Sequence, residues 1–122
     1  MVEFNPKFSE IFKLDNMLNK AEIPHDFVDE SYDILVSKRN HYHIYYPSKA
    51  IWQSEERDFY SNCSVIEGDF TYGGDSDLLE IMGLLTPEER EDYDDVIGSL
   101  TAEDVFERIQ KAWKKQEKKN DA

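Results

Sequence analysis

The sequence predicts an α+β domain, in which an N-terminal helix precedes a small antiparallel sheet of three to four strands and C-terminal helices pack on that sheet. Apolar residues recur at spacings of three and four near both ends of the chain, which is the pattern of helices buried along one side. The middle of the chain instead alternates apolar and polar residues, which is typical of half-buried strands. Because a chain of 122 residues has the usual size of one domain, we treat it as a single unit.

The first helix is marked by the residues at its start. Asn5 is a favourable N-cap, and Pro6 occupies the first helical position, where its fixed backbone angle suits a helix. Pro24 ends the pattern, because proline cannot continue a helix. The apolar positions of this helix are Phe4, Phe8, Ile11, Leu14, Leu18 and Ala21.

The strands are predicted to follow the first helix. Residues 32–36 and 41–46 alternate in side-chain type on either side of a polar turn at residues 38–40, and we therefore predict a hairpin. Residues 62–67 predict a further strand, and residues 27–28 predict a short strand that leads into the hairpin. Together these segments would supply the sheet.

The second half of the chain is predicted to be helical. The glycine pair at residues 73–74 breaks the preceding pattern, and Asp75 or Ser76 can cap a short helix through residues 78–85. Two later helix starts carry the signature of a capping box, in which side chains and backbone amides satisfy one another. These later starts lie at residues 86–89 and 101–104, and the apolar face of the last helix is Val105, Phe106, Ile109, Ala112 and Trp113.

Charge restricts the classes of partner. The chain has 27 acidic and 14 basic residues, a net charge of −13, and residues 51–104 alone hold 16 acidic and two basic residues. A protein that binds nucleic acid by neutralising phosphates needs a basic face, and so does one that binds anionic membranes. We therefore expect no direct contact with nucleic acid and none with membrane. A basic tail closes the chain, and we expect it to be frayed from about residue 118.

The single cysteine and the start of the chain indicate the compartment. Cys63 cannot form an internal disulfide, and its apolar neighbours predict a small core residue. The first residues lack the basic and apolar regions of a signal peptide, and no apolar run has the length of a membrane span. We expect a protein of the cytoplasm.

Acidic side chains are concentrated in one segment. Six of the eight residues from 88 to 95 are acidic, and three more acids, Asp75, Asp77 and Glu80, lie shortly before them. One hypothesis is that they present a phosphate-like array to a basic protein. The simpler interpretation is a solvated face that keeps the protein soluble. The predicted partner-binding set is Glu88, Glu89, Glu91, Asp92, Asp94, Asp95, Asp75 and Asp77.

Two histidines are weak candidates for metal ligands. His41 and His43 lie two positions apart, so both would point to the same face of a strand. A zinc site needs further ligands in tetrahedral geometry, and no recurring spacing identifies them. We predict no metal and no cofactor, and we keep as an alternative a small metal- or ligand-binding domain that uses this His/Tyr-rich hairpin.

Catalytic motifs are absent from the sequence. It contains neither a phosphate-binding loop nor a Gly-x-Ser-x-Gly turn, and we predict a protein that is not an enzyme. A group of aromatic residues predicts either core and sheet cover or a protein-binding patch, since Tyr and Trp are enriched in interfaces. The aromatic residues are Tyr32, Tyr42, Tyr45, Tyr46, Trp52, Phe59, Tyr60, Phe70 and Tyr72.

Three segments carry a resemblance to a known family. They are residues 63–73, 78–89 and 100–109. Over residues 60–112, the chain resembles small proteins encoded by phages and prophages of Gram-positive bacteria. The resemblance implies a phage accessory protein in the bacterial host cell, such as an inhibitor that binds a basic host or defence protein through a DNA-mimicking acidic surface. A structural or assembly component of the phage is the alternative, and the resemblance transfers no site residue and no oligomeric state.

Overall fold

A computed structural model describes residues 2–121, and their side chains as far as residue 119. The helices are α1 (Ser9–Lys20), α2 (Lys49–Trp52), α3 (Pro87–Tyr93) and α4 (Ala102–Asp121). The strands are β1 (Asp26–Asp29), β2 (Tyr32–Ile34), β3 (Ser37–Arg39), β4 (His41–Tyr46), β5 (Cys63–Gly68), β6 (Leu79–Met82) and β7 (Val96–Leu100). Short 3-10 turns at Pro6–Phe8 and Gly74–Ser76 precede α1 and β6. The α+β class predicted from the sequence is confirmed.

Five strands form one antiparallel sheet in the order β1-β4-β5-β6-β7. The register of its central strands places Ile44 opposite both Phe27 and Val65, and Val65 opposite Ile81. The strands β2 and β3 pair only with each other, as a small hairpin inserted between β1 and β4. The sheet therefore has more strands than the three to four expected.

The hydrophobic core lies between one face of the sheet and the helices α1 and α4. Ile44 and Ile81 of the sheet are fully buried in one cluster with Leu14 of α1 and Ile109 of α4. Because side chains alternate along strands, the residues between these core positions point the other way. We call that side the outer face. It carries Val28, His41, His43, Tyr45, Ser64, Ile66, Glu80 and Met82.

The local signals at residues 5–6, 86–89 and 101–104 are confirmed as helix starts, whereas the cap expected at Asp75 or Ser76 is not. Asn5 caps the first turn by accepting a hydrogen bond from a backbone amide. At α3, Thr86 accepts from the Glu89 amide (3.2 Å) and the Glu89 side chain accepts from the Thr86 amide (2.8 Å). Thr101 and Asp104 exchange the same pair of bonds at α4. These motifs need only neighbours in sequence, which is why sequence alone identifies them.

The predicted helix over residues 78–85 is wrong, because this segment contains β6. Leu79 and Ile81 are buried against the core, whereas Glu80 and Met82 lie on the outer face. Pairing with β5 on one side and β7 on the other imposes this alternation. The strand β7, at the edge of the sheet, was not predicted at all.

The predicted hairpin is also wrong in its pairing. Residues 32–36 do not pair with residues 41–46; β1 takes that place, which confirms the short strand expected at residues 27–28. The β1–β4 ladder brings Phe27 beside Ile44 on the core side. The side chains of β2 remain exposed.

The last helix, α4, continues to the end of the described backbone. The backbone of residues 118–121, where a frayed tail was expected, continues α4, and Ala122 lies outside the described residues.

Over residues 2–121, none of the helices combines the length and the apolar character that crossing a membrane would demand.

Candidate functional site

One carboxylate and two histidines come together on the outer face, at the β1–β4 ladder. His41 and His43 alternate along β4, so both side chains lie on this face. Glu30 directly follows β1, and its amide donates to the His41 carbonyl (2.8 Å), which extends the ladder by one residue. One ligand atom from each of the three side chains lies within 4.8 Å of the other two. The β1–β4 pairing thus places Glu30 beside the two histidines.

A chain of hydrogen bonds passes through the His43 ring. Its Nδ1 lies 2.8 Å from Glu30 Oε1, and its Nε2 lies 2.5 Å from Ser64 Oγ on β5. The Tyr45 hydroxyl donates to Glu30 Oε2 (2.5 Å), and the Tyr45 ring stacks on the His43 ring at 3.7 Å between centroids. His41 Nε2 lies 4.0 Å from Glu30 Oε1. The His43 ring is therefore fixed by a hydrogen bond at each nitrogen and by stacking on one face.

This network determines the protonation of the cluster. Burial alone would raise the pKa of Glu30, but hydrogen bonds from Tyr45 and His43 and the charge of nearby Lys49 lower it overall. Burial lowers the pKa of His43, although Glu30 opposes that shift. At neutral pH the pair is thus an ionised carboxylate and a neutral imidazole. Because a carboxylate only accepts, His43 carries its proton on Nδ1, and the Ser64 hydroxyl donates to Nε2.

The cluster matches the ligand set of an open zinc site, in which two histidines and one carboxylate leave the fourth position to water. Bonds of about 2.0–2.2 Å in tetrahedral geometry place ligand atoms roughly 3.3 Å apart. The Glu30–His43 contact, at 2.8 Å, would have to lengthen by about 0.5 Å, and the Glu30–His41 separation, at 4.0 Å, would have to shorten by about 0.7 Å. The ligand atoms of His41 and His43, which lie within 4.8 Å of each other, would have to reach the same separation. A metal would also need the Nδ1 lone pair of His43. The imidazole proton would then lie on Nε2, which can donate a hydrogen bond to the Ser64 hydroxyl oxygen.

Sequence reasoning identified His41 and His43 but missed Glu30, Tyr45 and Ser64. The missed residues lie beside the histidines through strand pairing, or serve them through hydrogen bonds. The one available signal was that Tyr45 continues the alternation of His41 and His43 along the strand.

Three of the eight predicted partner-binding acids are engaged within the protein. Glu89 forms a two-pronged ion pair with Arg108 of α4, at 2.7 and 2.6 Å, and this contact lowers the pKa of Glu89 to about 2. Asp95 pairs with Arg90 at 3.0 Å. Asp77 accepts hydrogen bonds at the start of α1, one of them from the Glu10 amide at 3.0 Å.

The other five predicted acids are exposed. Glu88, Glu91 and Asp92 lie on α3 at spacings of three and four, which places them on one side of that helix. None of the three belongs to an ion pair among the described side chains. Asp94 follows α3, and Asp75 lies in the turn before β6. The acidic face is therefore smaller than the predicted set.

The aromatic residues divide between core and surface. Tyr42, Tyr45, Tyr46 and Trp52 are buried, whereas the more exposed members are Tyr32, Tyr60, Phe70 and Tyr72.

The prediction that Cys63 is a core residue is confirmed: it is fully buried, and burial raises the pKa of its thiol to about 12.

Comparison with protein-family models, with curated proteins and with solved structures finds no significant match to the chain.

Proposed function

We propose that the protein is a small metal-binding domain that holds Zn²⁺ through Glu30, His41 and His43. The observation that carries this proposal is the convergence of these three ligand groups on the outer face, within 4.8 Å of one another. Nitrogen and carboxylate oxygen are ligands that zinc accepts, whereas calcium and magnesium prefer oxygen alone. Zinc is therefore the divalent ion that suits this donor set.

The surroundings of the cluster support a bound cation. The side chains of Glu30 and His41 are about a quarter to a third exposed, at 27% and 30%, whereas that of His43 is 13% exposed. The cluster is thus reachable from solvent and held firmly on its inner side. Ser64 and Tyr45 contact His43 and Glu30 from behind, as the outer partners of metal ligands commonly do.

Titration of chelator-treated protein with Zn²⁺ tests the proposal. We expect a single equivalent to bind, with protection against thermal unfolding that grows with free zinc. At free zinc 100 times the dissociation constant, the gain in the free energy of unfolding is about 2.7 kcal/mol. Isothermal titration calorimetry and differential scanning calorimetry measure the two quantities.

The third histidine provides the matched control for this titration. His25 is held away from the cluster by Asp15, with 2.7 Å between His25 Nε2 and Asp15 Oδ1. His25→Ala should leave the zinc affinity unchanged, whereas His41→Ala should weaken it at least about tenfold. Equal zinc binding by wild type and His41→Ala would contradict the proposal.

A second candidate function is binding to a basic protein through the exposed acids of α3. In this proposal the chain is a phage accessory protein, and Glu88, Glu91 and Asp92 contact a basic surface of a host or defence protein that handles nucleic acid. The favouring observation is that these three acids share one side of a short helix and form no ion pairs among the described side chains. A basic partner would associate rapidly and in a salt-sensitive way.

Charge-reversal variants test whether affinity depends on the exposed acids of α3 or only on the net charge of the protein. A triple variant with Lys at positions 88, 91 and 92 is expected to lose about tenfold or more in affinity for purified bacterial nucleases and nucleoid proteins at low salt. Reversal of Glu55 and Glu56, which are exposed acids on another loop, is the control and should change affinity far less. Binding that responds to neither salt nor the triple reversal would rule out this candidate.

A further inference from the structure

A cleft on the outer face shares Glu30 and His41 with the histidine cluster and is separate from α3. It has a volume of about 490 Å³ and lies between the β2–β3 hairpin and the loop that follows β5. Tyr32 of the hairpin and Phe70 and Tyr72 of the loop line it, and Glu30 and Glu80 contribute carboxylates. The cleft thus combines aromatic rings with negative charge.

The aromatic residues of the cleft are largely exposed to solvent and are not part of the hydrophobic core. Tyr32 is 49% exposed, Phe70 73% and Tyr72 71%. The Tyr72 amide donates to Glu80 Oε1 (2.8 Å), which ties the loop to the floor of the cleft and leaves Oε2 of that carboxylate without a protein donor among the described residues. Aromatic faces beside carboxylates attract cations, because the ring faces are negative.

The molecule already contains one such contact at the margin of the cleft. The guanidinium of Arg39 lies over the Phe70 ring, 5.4 Å from its centroid. Neither lysine nor arginine is among the described residues that line the cleft itself. Among the described residues, therefore, no cation matches Tyr32, Tyr72 or the Glu80 carboxylate.

We infer that this cleft binds the guanidinium group of an arginine side chain presented by a partner peptide. Arginine suits the site better than lysine, since its planar group stacks on aromatic rings and also donates paired hydrogen bonds to a carboxylate. Stacking of a nucleobase is disfavoured, because the phosphates of a nucleic acid would meet a protein of net charge −13. The inference goes beyond zinc binding and requires no metal.

The experiment uses the full chain with a chelator present, so that the failure of zinc binding and the failure of this inference are distinguishable. An acetylated and amidated Gly-Arg-Gly peptide is titrated into ¹⁵N-labelled protein, and the same peptide with citrulline, which is nearly isosteric but uncharged, is the comparison. We expect saturable shifts of the Tyr32, Tyr72 and Glu80 amide signals with the arginine peptide. The citrulline peptide, and the same peptide with lysine in place of arginine, should give much smaller shifts.

Variants locate the binding site. Tyr72→Ala and Glu80→Gln should each weaken binding about two- to fivefold, as expected for one exposed cation–aromatic contact or one exposed ion pair. The Gln side chain retains an oxygen that can accept from the Tyr72 amide, so the loop should stay in place. Tyr93→Ala and Glu55→Gln, which alter an exposed tyrosine of α3 and an exposed glutamate of the loop after α2, are the matched controls.

Two outcomes would overturn the inference. One is equal binding of the arginine and citrulline peptides, since charge would then have no part in recognition. The other is an equal loss for Glu80→Gln and Glu55→Gln, because general attraction to an acidic protein would then account for the binding.

Discussion

Glu67→Gln is expected to raise the free energy of unfolding by an amount on the order of 3 kcal/mol at pH 8. Glu67 lies on β5 and is fully buried among the core residues. Burial, followed by the hydrogen bond to Asp77 and the charge of Asp77, raises the pKa of Glu67 to about 9. The folded protein therefore keeps a neutral carboxyl group at this position at neutral pH.

The contacts of Glu67 explain why glutamine should replace it well. Its Oε1 accepts from the Ile11 amide at 3.1 Å, and Asp77 is the acceptor for the proton that neutral Glu67 carries. Asp77 in turn accepts from the Ser9 hydroxyl and the Glu10 amide. Burial alone would raise the pKa of Asp77, but the bonds from Glu67, the Ser9 hydroxyl and the Glu10 amide lower it overall. A glutamine amide can accept and donate at the same two places without having to hold a proton.

The pH dependence has a definite sign. The unfolded carboxyl has a pKa near 4.5, whereas folded Glu67 holds its proton up to about pH 9. Between these values the folded state binds the extra proton, so the free energy of unfolding falls as pH rises. Urea unfolding should show that wild type and variant differ little near pH 4.5 and increasingly up to pH 9.

The control for this prediction is Glu88→Gln, which alters an exposed glutamate of α3 and should change stability by less than about 0.5 kcal/mol. A Glu67→Gln protein that is less stable than wild type at pH 8 would contradict this prediction.

His43→Ala is expected to weaken zinc binding by more than about 100-fold, because it removes a ligand and the ring that orients Glu30. Ser64→Ala leaves all three ligands in place and removes only the partner of His43 Nε2. We expect Ser64→Ala to weaken zinc binding by about 10- to 100-fold, as is usual for such outer partners. Competition with a chromophoric chelator measures both effects.

The same variants distinguish a loss of folding from a loss of zinc binding. The His43 ring stacks on Tyr45, so His43→Ala can lower stability as well as affinity. Ser64→Ala removes one hydroxyl from a buried position and should fold. If Ser64→Ala and His25→Ala bind zinc as wild type does, the proposed role of Ser64 as a positioning residue is wrong.

The parts of the fold that depend on near neighbours could be predicted from the sequence. The capping boxes of α3 and α4 join residues three apart, and the apolar face of α4 repeats at helical spacing. Strand pairing could not be predicted in the same way. Residues 79–82 are too few to separate helical from strand periodicity, and only their pairing with β5 and β7 decides it.

The candidate site shows the same division. Alternation along one strand placed His41 and His43 on a common face, and the structure confirms it. The position of Glu30 depends on which strand pairs with β4, and the predicted hairpin had chosen residues 32–36. The ion pair of Glu89 could not be predicted for a related reason, since its partner Arg108 is 19 positions away in sequence.

Zinc coordination by His43 Nδ1 is the central claim, and ¹⁵N NMR of the histidine ring nitrogens tests it most directly. The metal-free protein should carry the His43 proton on Nδ1, where Glu30 accepts it. On saturation with Zn²⁺, the Nδ1 signal should move to the position of a metal-bound nitrogen, and the proton should appear on Nε2, beside Ser64. Zinc saturation that leaves both His43 ring nitrogens unchanged would contradict the account.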